Sequence, residues 1–361
     1  MILPILLKMK ALILTGGLGT RLRPLTCTLP KPLLPVANVP FLTHQILNLR
    51  QHGIREIVLA TGYRPPLFRR LLGDGRSLGV RLRYAAEKSP LGTGGAVRNA
   101  ARFLKGTTLI LNGDVLQKLD VGALRRAHRR NRAEVTISLV HVQDPTLYGL
   151  VEVDAAGRIR RFLEKPSLDE ITCDTINAGA YVFDESVFAR IAPEVPYSLE
   201  RGLFPRLLAE GRRMYGFVTH GYWMDIGTLD KFLQAHRDIL EGRAAFALPG
   251  YRKLAAFLLA PGARLAPGVR HEGVGRVVLG PATEAAASVR FVGSVCVGAD
   301  CRIEADAVLE DCVVLDRTRI GPGAQLSGCI VGRRCRIGAN AVIGAGRTLG
   351  DGCVIQEFSR L

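Results

Sequence analysis

The sequence is poor in the features that would tie it to disulfide, membrane or redox chemistry. Its eight cysteines stand at 27, 173, 296, 301, 312, 329, 335 and 353. No CxxC pair or histidine at metal-like spacing accompanies them, so they read as reduced, packed thiols and exclude a zinc cluster. Long apolar runs are missing too. The opening MILPILL reaches only to Lys8, too short for a membrane span or a complete signal peptide, and Met9, directly before the first strand pattern, is an alternative start. Neither GxGxxG nor GxxxxGK[ST] occurs, which argues against hydride transfer and ordinary P-loop ATPase chemistry. Acidic residues are scarce: 32 Asp and Glu face 49 Lys and Arg, a net charge of +17. The densest basic run, 124–132, contains no aromatic residue to stack on bases, and its Leu124, Ala127 and His128 fall at helical spacing. That is the solvated face of an amphipathic helix, so no nucleic-acid partner is expected. The general positive field suits phosphorylated small molecules.

With 361 residues and 48% hydrophobic content, the chain exceeds one compact unit. From residue 9 to 240, short apolar runs alternate with helical patterns, the mark of an α/β domain with a Rossmann-like mixed sheet. ALILTGG, REIVLA, VRLRYA, TLILNGD and EVTISLV read as strands; 41–52, 94–104, 121–132 and 229–240 read as helices; 148–153 and 158–163 read as a hairpin. Residues 241–290 carry few signals and read as a connector. From 291 to 361 the period changes. Val297, Ile303, Leu309 and Leu315 recur every six residues; Ile320, Leu326 and Val331 follow with two five-residue steps; Ile337, Ile343, Leu349 and Ile355 resume at six. A six-residue aliphatic period predicts a parallel β-helix of hexapeptide repeats, each hexad forming one side of a triangular coil.

Chemistry concentrates just after the first strand, in Gly16-Gly-Leu-Gly-Thr-Arg-Leu-Arg-Pro-Leu-Thr26 followed by Pro30-Lys-Pro-Leu-Leu-Pro-Val36. Glycines let backbone N–H groups approach a phosphate chain, and Arg21, Arg23 and Lys31 add charge. This pairing resembles the signature of the sugar nucleotidyltransferases, or nucleotide-sugar pyrophosphorylases. Glu87–Gly95 (EKSPLGTGG), Asn112-Gly-Asp114, Phe162-Leu-Glu-Lys-Pro166, Asn177-Ala-Gly179 and Gly221-Tyr-Trp-Met-Asp-Ile-Gly227 match in the family's order. Within the family, LTHQI, PLGTGGAV and GYWMDIGTLDKFLQAH are most similar to mannose-1-phosphate guanylyltransferases.

The resemblance implies a left-handed β-helix tail and a role for each matching position. Arg21 would hold the triphosphate and Lys31 the α-phosphate, with Gly16, Gly17, Gly19, Thr20, Gly92 and Thr93 around the nucleotide. Asp114, at a strand's carboxyl end, and Asp225 would be the ligands of Mg²⁺. Glu164 would accept sugar hydroxyls, Lys165 would meet the sugar phosphate in an extended conformation set by Pro166, and Asn177 and Gly179 would complete the pocket. The implied reaction joins a nucleoside triphosphate to a sugar 1-phosphate and releases pyrophosphate. GTP with mannose 1-phosphate is preferred; dTTP or UTP with glucose 1-phosphate, or GTP with heptose 1-phosphate, is the alternative. A non-catalytic regulatory subunit is the reading from another class, and loss of a signature Lys or Asp would mark it. Acyl transfer by the tail is disfavoured, since its one histidine, His271, precedes the clear repeat. The expected setting is cytoplasmic, without a membrane partner, as a homo-oligomer assembled through the tail.

Overall fold

The computed structural model describes residues 9–361, so the apolar run before Met9 lies outside the described residues. The chain forms two compact units. One holds the residues through Gly17 together with Gln45–Trp223; the other holds Leu18–His44 together with Met224–Leu361.

The first unit is built on a nine-stranded sheet. Its strands are β1 (Lys10–Leu14), β2 (Glu56–Thr61), β3 (Arg81–Ala86), β4 (Thr108–Asn112), β5 (Val135–His141), β6 (Gly149–Val153), β7 (Ile159–Glu164), β8 (Thr175–Phe183) and β9 (Met214–Val218). They run in the order β7-β6-β8-β4-β1-β2-β3, with β5 also pairing β8, and β9 pairing β5. β1, β2, β3 and β4 are mutually parallel, while β8 lies antiparallel to β4 and β5. The near-continuous apolar sequences of β1, β2 and β4 follow from burial on both faces. Helices α1 (Phe41–Gln51), α2 (Pro65–Leu72), α3 (Gly92–Ala100), α4 (Val121–Arg130) and α5 (Phe204–Ala209) accompany the sheet. On α4, Leu124, Ala127 and His128 are buried, as the basic run's spacing predicts. Burial pushes His128 down to about 4, so its ring is a neutral core group bonded to Thr136 Oγ1. The hairpin expected at 148–163 is β6–β7.

The second unit is a three-sided parallel coil preceded by α6 (Leu229–Leu240) and joined by the 18–44 segment. Three sheets run along it, parallel throughout except for an antiparallel first strand, Arg252–Leu254, in agreement with the expected β-helix. In one sheet Leu265, Ala285, Ile303, Ile320, Ile337 and Ile355 pair in succession, so the coils advance by 20, 18, 17, 17 and 18 residues. Left-handed corners carry residues that tolerate positive φ, among them Asp300, Asp306 and Asn340. Among the described residues, no helix is long and apolar enough to cross a membrane.

Three expectations change here. The coil begins near Phe257 instead of 291: Phe257–Leu259, Arg264–Leu265 and Arg270–Glu272 already pair with the next coil. The 241–290 stretch hid this because its first coil is longer, with four residues, Gly273–Arg276, at a corner where the next coil has only Gly293 and Ser294, and His271 takes an interior place opposite Phe291. His271 thus lies inside the repeat, where Nε2 pairs with Gly293 O at 2.9 Å. The interior aliphatic after Leu309 is Val314, paired with Val297 and Val331, and not Leu315. Both five-residue steps, 309 to 314 and 326 to 331, therefore fall at the same corner. Adjacent Val314 and Leu315 are equally apolar, so periodicity alone could not phase them.

Candidate active site

The residues expected around the nucleotide and sugar divide between the units. In the second, the chain leaves Gly19, which has φ 64°, and enters a short 3-10 turn, Thr20–Leu22, that carries Arg21. Thr26 Oγ1 donates to Gly19 O at 2.8 Å and closes the loop. Arg21 packs over Gly227, where a Cβ would lie 3.1–3.2 Å from the guanidinium atoms. Lys31 starts the third 3-10 turn of this segment and its Nζ lies 3.5 Å from Asp225 Oδ1, with the side chains only 10% and 19% exposed. The structure thus groups the two cations expected to meet phosphate, Arg21 and Lys31, and one of the two expected metal-binding carboxylates in a single unit. Thr228, not Asp225, caps α6 by accepting from Lys231 N, so the carboxylate of Asp225 is not consumed as a cap.

In the first unit, Gly16 and Gly17 follow β1. Glu87 closes beneath them, its Oε1 within 3.5 Å of where a Gly16 Cβ would stand, and its Oε2 accepts Leu91 N at 3.1 Å. Asn112 ends β4, and Asp114 follows at the carboxyl edge of the parallel strands, the position where α/β sheets present ligand-binding groups.

The expected sugar-side residues come together along β8 and β7. A register shift in β8 between Asn177 and Tyr181 forms a bulge. Within it Gly179 adopts φ 73°, its N–H donates to Asn177 Oδ1 at 3.0 Å, and a Cβ there would sit 2.9 Å from Asn112 Nδ2. Asn177 Nδ2 donates to the buried Tyr181 hydroxyl at 2.9 Å. Trp223 Nε1 donates to Ala178 O, and its ring meets Tyr148 edge-on at 5.5 Å. Glu164 ends β7, and the sequence-based expectation for Lys165 fails: Lys165 has φ 55°, in the left-handed region, not an extended conformation. Pro166 disfavours the right-handed helical region but does not by itself impose extension, and the Lys165 N–H is held by Tyr148 O at 2.9 Å. A non-glycine residue held there stores backbone strain, which concentrates at functional sites.

Gly92 and Thr93 open α3, two residues earlier than expected. Here the bare backbone of the glycine run is used for packing, since Gly94 and Gly95 both donate to Tyr197 O at 2.8 and 3.1 Å. The Thr93 hydroxyl donates to Glu200 Oε2 at 2.7 Å and accepts from Leu199 N. Glu200, just past the Ser198 cap of the helical segment that follows, is a site neighbour that no motif in the sequence marks. Ser198 does cap, accepting from Arg201 N, but no periodicity marks a carboxylate whose partner lies 107 residues away.

Burial pushes the Glu164 carboxyl above its ordinary range, and the neighbouring Glu200 charge adds to the rise. An acid with a raised folded pKa contributes its stability below the unfolded pKa and loses it as pH rises through the folded value. Glu164→Gln is therefore expected to raise Tm relative to wild type at about pH 7.5, with the gain vanishing by about pH 4. Melting curves across that range check this; a constant difference at every pH would refute the assignment.

A glycine-looped α/β unit, and a second unit in which a hexad coil is joined to the segments carrying Lys31 and Asp225, define a nucleotidyl-transfer fold of the sugar-nucleotide class. The nucleotidyl transferase family model matches residues 10–242, and the GMPPB C-terminal domain model matches 274–360. The chain belongs to the nucleotidyl transferase family. It is 42% identical over 303 residues to the mannose-1-phosphate guanylyltransferase of Mycobacterium tuberculosis, covering 83% of this chain and 82% of the relative. A probable mannose-1-phosphate guanylyltransferase 3 of Oryza sativa subsp. japonica is 35% identical over 360 residues, 98% of this chain and 91% of that one. Among solved structures, HddC from Yersinia pseudotuberculosis complexed with GMP-PN superposes with a TM-score of 0.56 at 26% identity, over 64% of this chain and 99% of that one.

Proposed function

We propose that the chain transfers GMP from GTP to mannose 1-phosphate, forming GDP-mannose and pyrophosphate. The observation that carries this reading is the likeness to named mannose-1-phosphate guanylyltransferases across both parts of the chain, at 42% and 35% identity. Arg21, Lys31, Asp114, Lys165 and Asp225 are all present, which disfavours a non-catalytic regulatory subunit.

A phosphate oxygen of the sugar phosphate attacks the α-phosphorus in line, the bond to the β-phosphate bridging oxygen breaks, and pyrophosphate leaves with that electron pair. The nucleophile is already an anion, so the protein's task is positioning and charge neutralisation. Arg21 holds the leaving pyrophosphate, Lys31 the α-phosphate and Lys165 the sugar phosphate. Glu164 and Asn177 accept and orient sugar hydroxyls, and the Gly16–Thr20 loop and the start of α3 at Gly92 and Thr93 border the nucleotide.

Among the described residues, no group of three or more His, Cys, Asp or Glu is arranged to hold a metal. The carboxylates of Asp114 and Asp225 are hard oxygen donors, and such a sparse set fits Mg²⁺, which completes its shell with phosphate oxygens and water. When bound, Mg²⁺ would neutralise charge on the phosphates. All eight cysteines are free, which fits a cytoplasmic setting, and the flat coil faces suit a homo-oligomer.

The test is pyrophosphate release with Mg²⁺ across GTP, dTTP, UTP, ATP and CTP against mannose, glucose and heptose 1-phosphates. The GTP and mannose 1-phosphate combination is expected to be fastest, and Asp114→Ala to lower it by about 10³-fold or more. A faster heptose or glucose combination would replace the substrate. Nucleotide binding without turnover in any combination would favour the regulatory reading.

A further inference from the structure

The terminal coil touches the signature loop directly. Thr28, two residues past the Gly16–Thr26 motif, donates from Oγ1 to Asp351 Oδ2 at 2.7 Å. The other oxygen, Asp351 Oδ1, accepts the Arg333 N–H at 2.8 Å, and Arg333 Nη1 lies 3.9 Å from Oδ2. Beside it, a Cβ on Gly350 would stand 3.2 Å from Pro24 Cβ, so coil and loop are in van der Waals reach. The far end of the same segment is also tied down: Asn38 Nδ2 donates to Val297 O at 2.6 Å, and Cys296 Sγ donates to Asn38 Oδ1 at 3.1 Å. Lys31 and the turn carrying Arg21 lie between or next to these anchors, and residues 18–44 form one compact unit with the coil.

An ordinary structural duty explains only half of Asp351. Corner aspartates of this coil accept a backbone N–H from the coil before, as Asp316 Oδ1 does from Ala299 N at 2.9 Å. The second oxygen of Asp316 stays within the coil, facing Arg333 Nε at 3.8 Å. The second oxygen of Asp351 instead leaves the coil for the loop. Arg333 stands between the two aspartates and contacts both, so the coil's own charge ladder orients the Asp351 carboxylate.

We infer that Asp351 and Thr28 are positioning residues: the last coil holds the Pro24–Thr28 turn, and through it Arg21 and Lys31, in the geometry that receives the triphosphate. The coil is then a working part of the nucleotide site as well as a tail. This rests on the transferase reading for what the loop binds, but its primary readout is nucleotide binding, which does not depend on turnover.

The experiment measures calorimetric Kd for GTP with Mg²⁺ in the full chain, with KM, kcat and Tm alongside. Asp351→Ala and Thr28→Val are each expected to weaken GTP binding and raise its KM by about five- to tenfold, with kcat changed by less than about twofold. The double variant is expected to be no weaker than either single one, because the two changes remove one contact. Asp351→Asn, which keeps an acceptor for the Thr28 hydroxyl, restores most of the affinity, and Asp316→Ala lowers Tm without weakening GTP binding. Wild-type affinity in Asp351→Ala and Thr28→Val, additive losses in the double variant, or an equal loss in Asp316→Ala would overturn the inference. If Asp351→Ala fails to fold, Thr28→Val decides, since it leaves the coil untouched. Failure of the transferase reading looks different: wild type binds nucleotide but releases no pyrophosphate.

Discussion

Replacing Lys31 with Met is expected to lower kcat/KM for pyrophosphate release by about 10²–10³-fold, a loss of about 3–4 kcal/mol of transition-state stabilisation. Lys31 is nearly buried, at 8% exposure, and its ammonium is placed by packing in the turn at Lys31–Leu33. A charge held in a water-poor position needs no reorganisation as charge builds on the phosphates, which is why its removal costs more than a surface contact would. Met preserves most of the stem's packing, so the loss reports charge and not a cavity. The variant also leaves the Asp225 carboxylate, 19% exposed, without its ammonium neighbour at 3.5 Å, and a Tm decrease accompanies the activity loss. Asp225→Asn in the same background separates the effects. Because the two groups share one interaction, the double variant is expected to fall short of the product of the single losses. Full multiplicative losses would show that Lys31 and Asp225 act independently. Steady-state kinetics and calorimetric melting on the three variants supply the comparison.

Gly113→Ala is expected to cost about 3 kcal/mol of stability and to reduce turnover by about 10²-fold. The ideal Cβ at 113 would stand 2.4 Å from Leu14 O and 3.0 Å from Thr15 Cγ2, inside contact distance for real atoms. The conflict involves backbone, not a flexible side-chain end, so relief means moving β1 or β4 apart where Gly113 N donates to Leu14 O at 2.8 Å. Either motion displaces what flanks the contact, Asp114 past one strand end and the Gly16–Gly17 loop past the other. Displacements near 1 Å suffice to lose about two orders of magnitude in rate. Thermal melting and initial rates check both halves. A variant with wild-type Tm would show that the strands yield at no cost, contrary to the tight backbone approach.

Much of this protein was legible in the chain because the signals were local. Apolar runs located the parallel strands, helical spacing put Leu124, Ala127 and His128 inside, and Leu229–Leu240 came out as the helix observed. The hexad period identified the coil because each interior aliphatic repeats the same environment, so the signal adds up over many turns. Motif order pointed to the family.

What the sequence determined unaided is therefore the periodic and the local: strands, amphipathic faces, the coil, and the residue types suited to anionic substrates. Tertiary structure alone decided the rest, wherever two choices were locally equal or two partners lay far apart. Val314 and not Leu315 faces the coil interior because register with Val297 and Val331 selects between two equally apolar neighbours. Lys165 turns left-handed because Tyr148 O holds its N–H, a constraint that Pro166 does not encode. Thr93 is drawn to Glu200, and Thr28 to Asp351, across separations of 107 and 323 residues. Such contacts leave no period behind them, because each is made once, between side chains that only the completed fold brings within hydrogen-bonding distance.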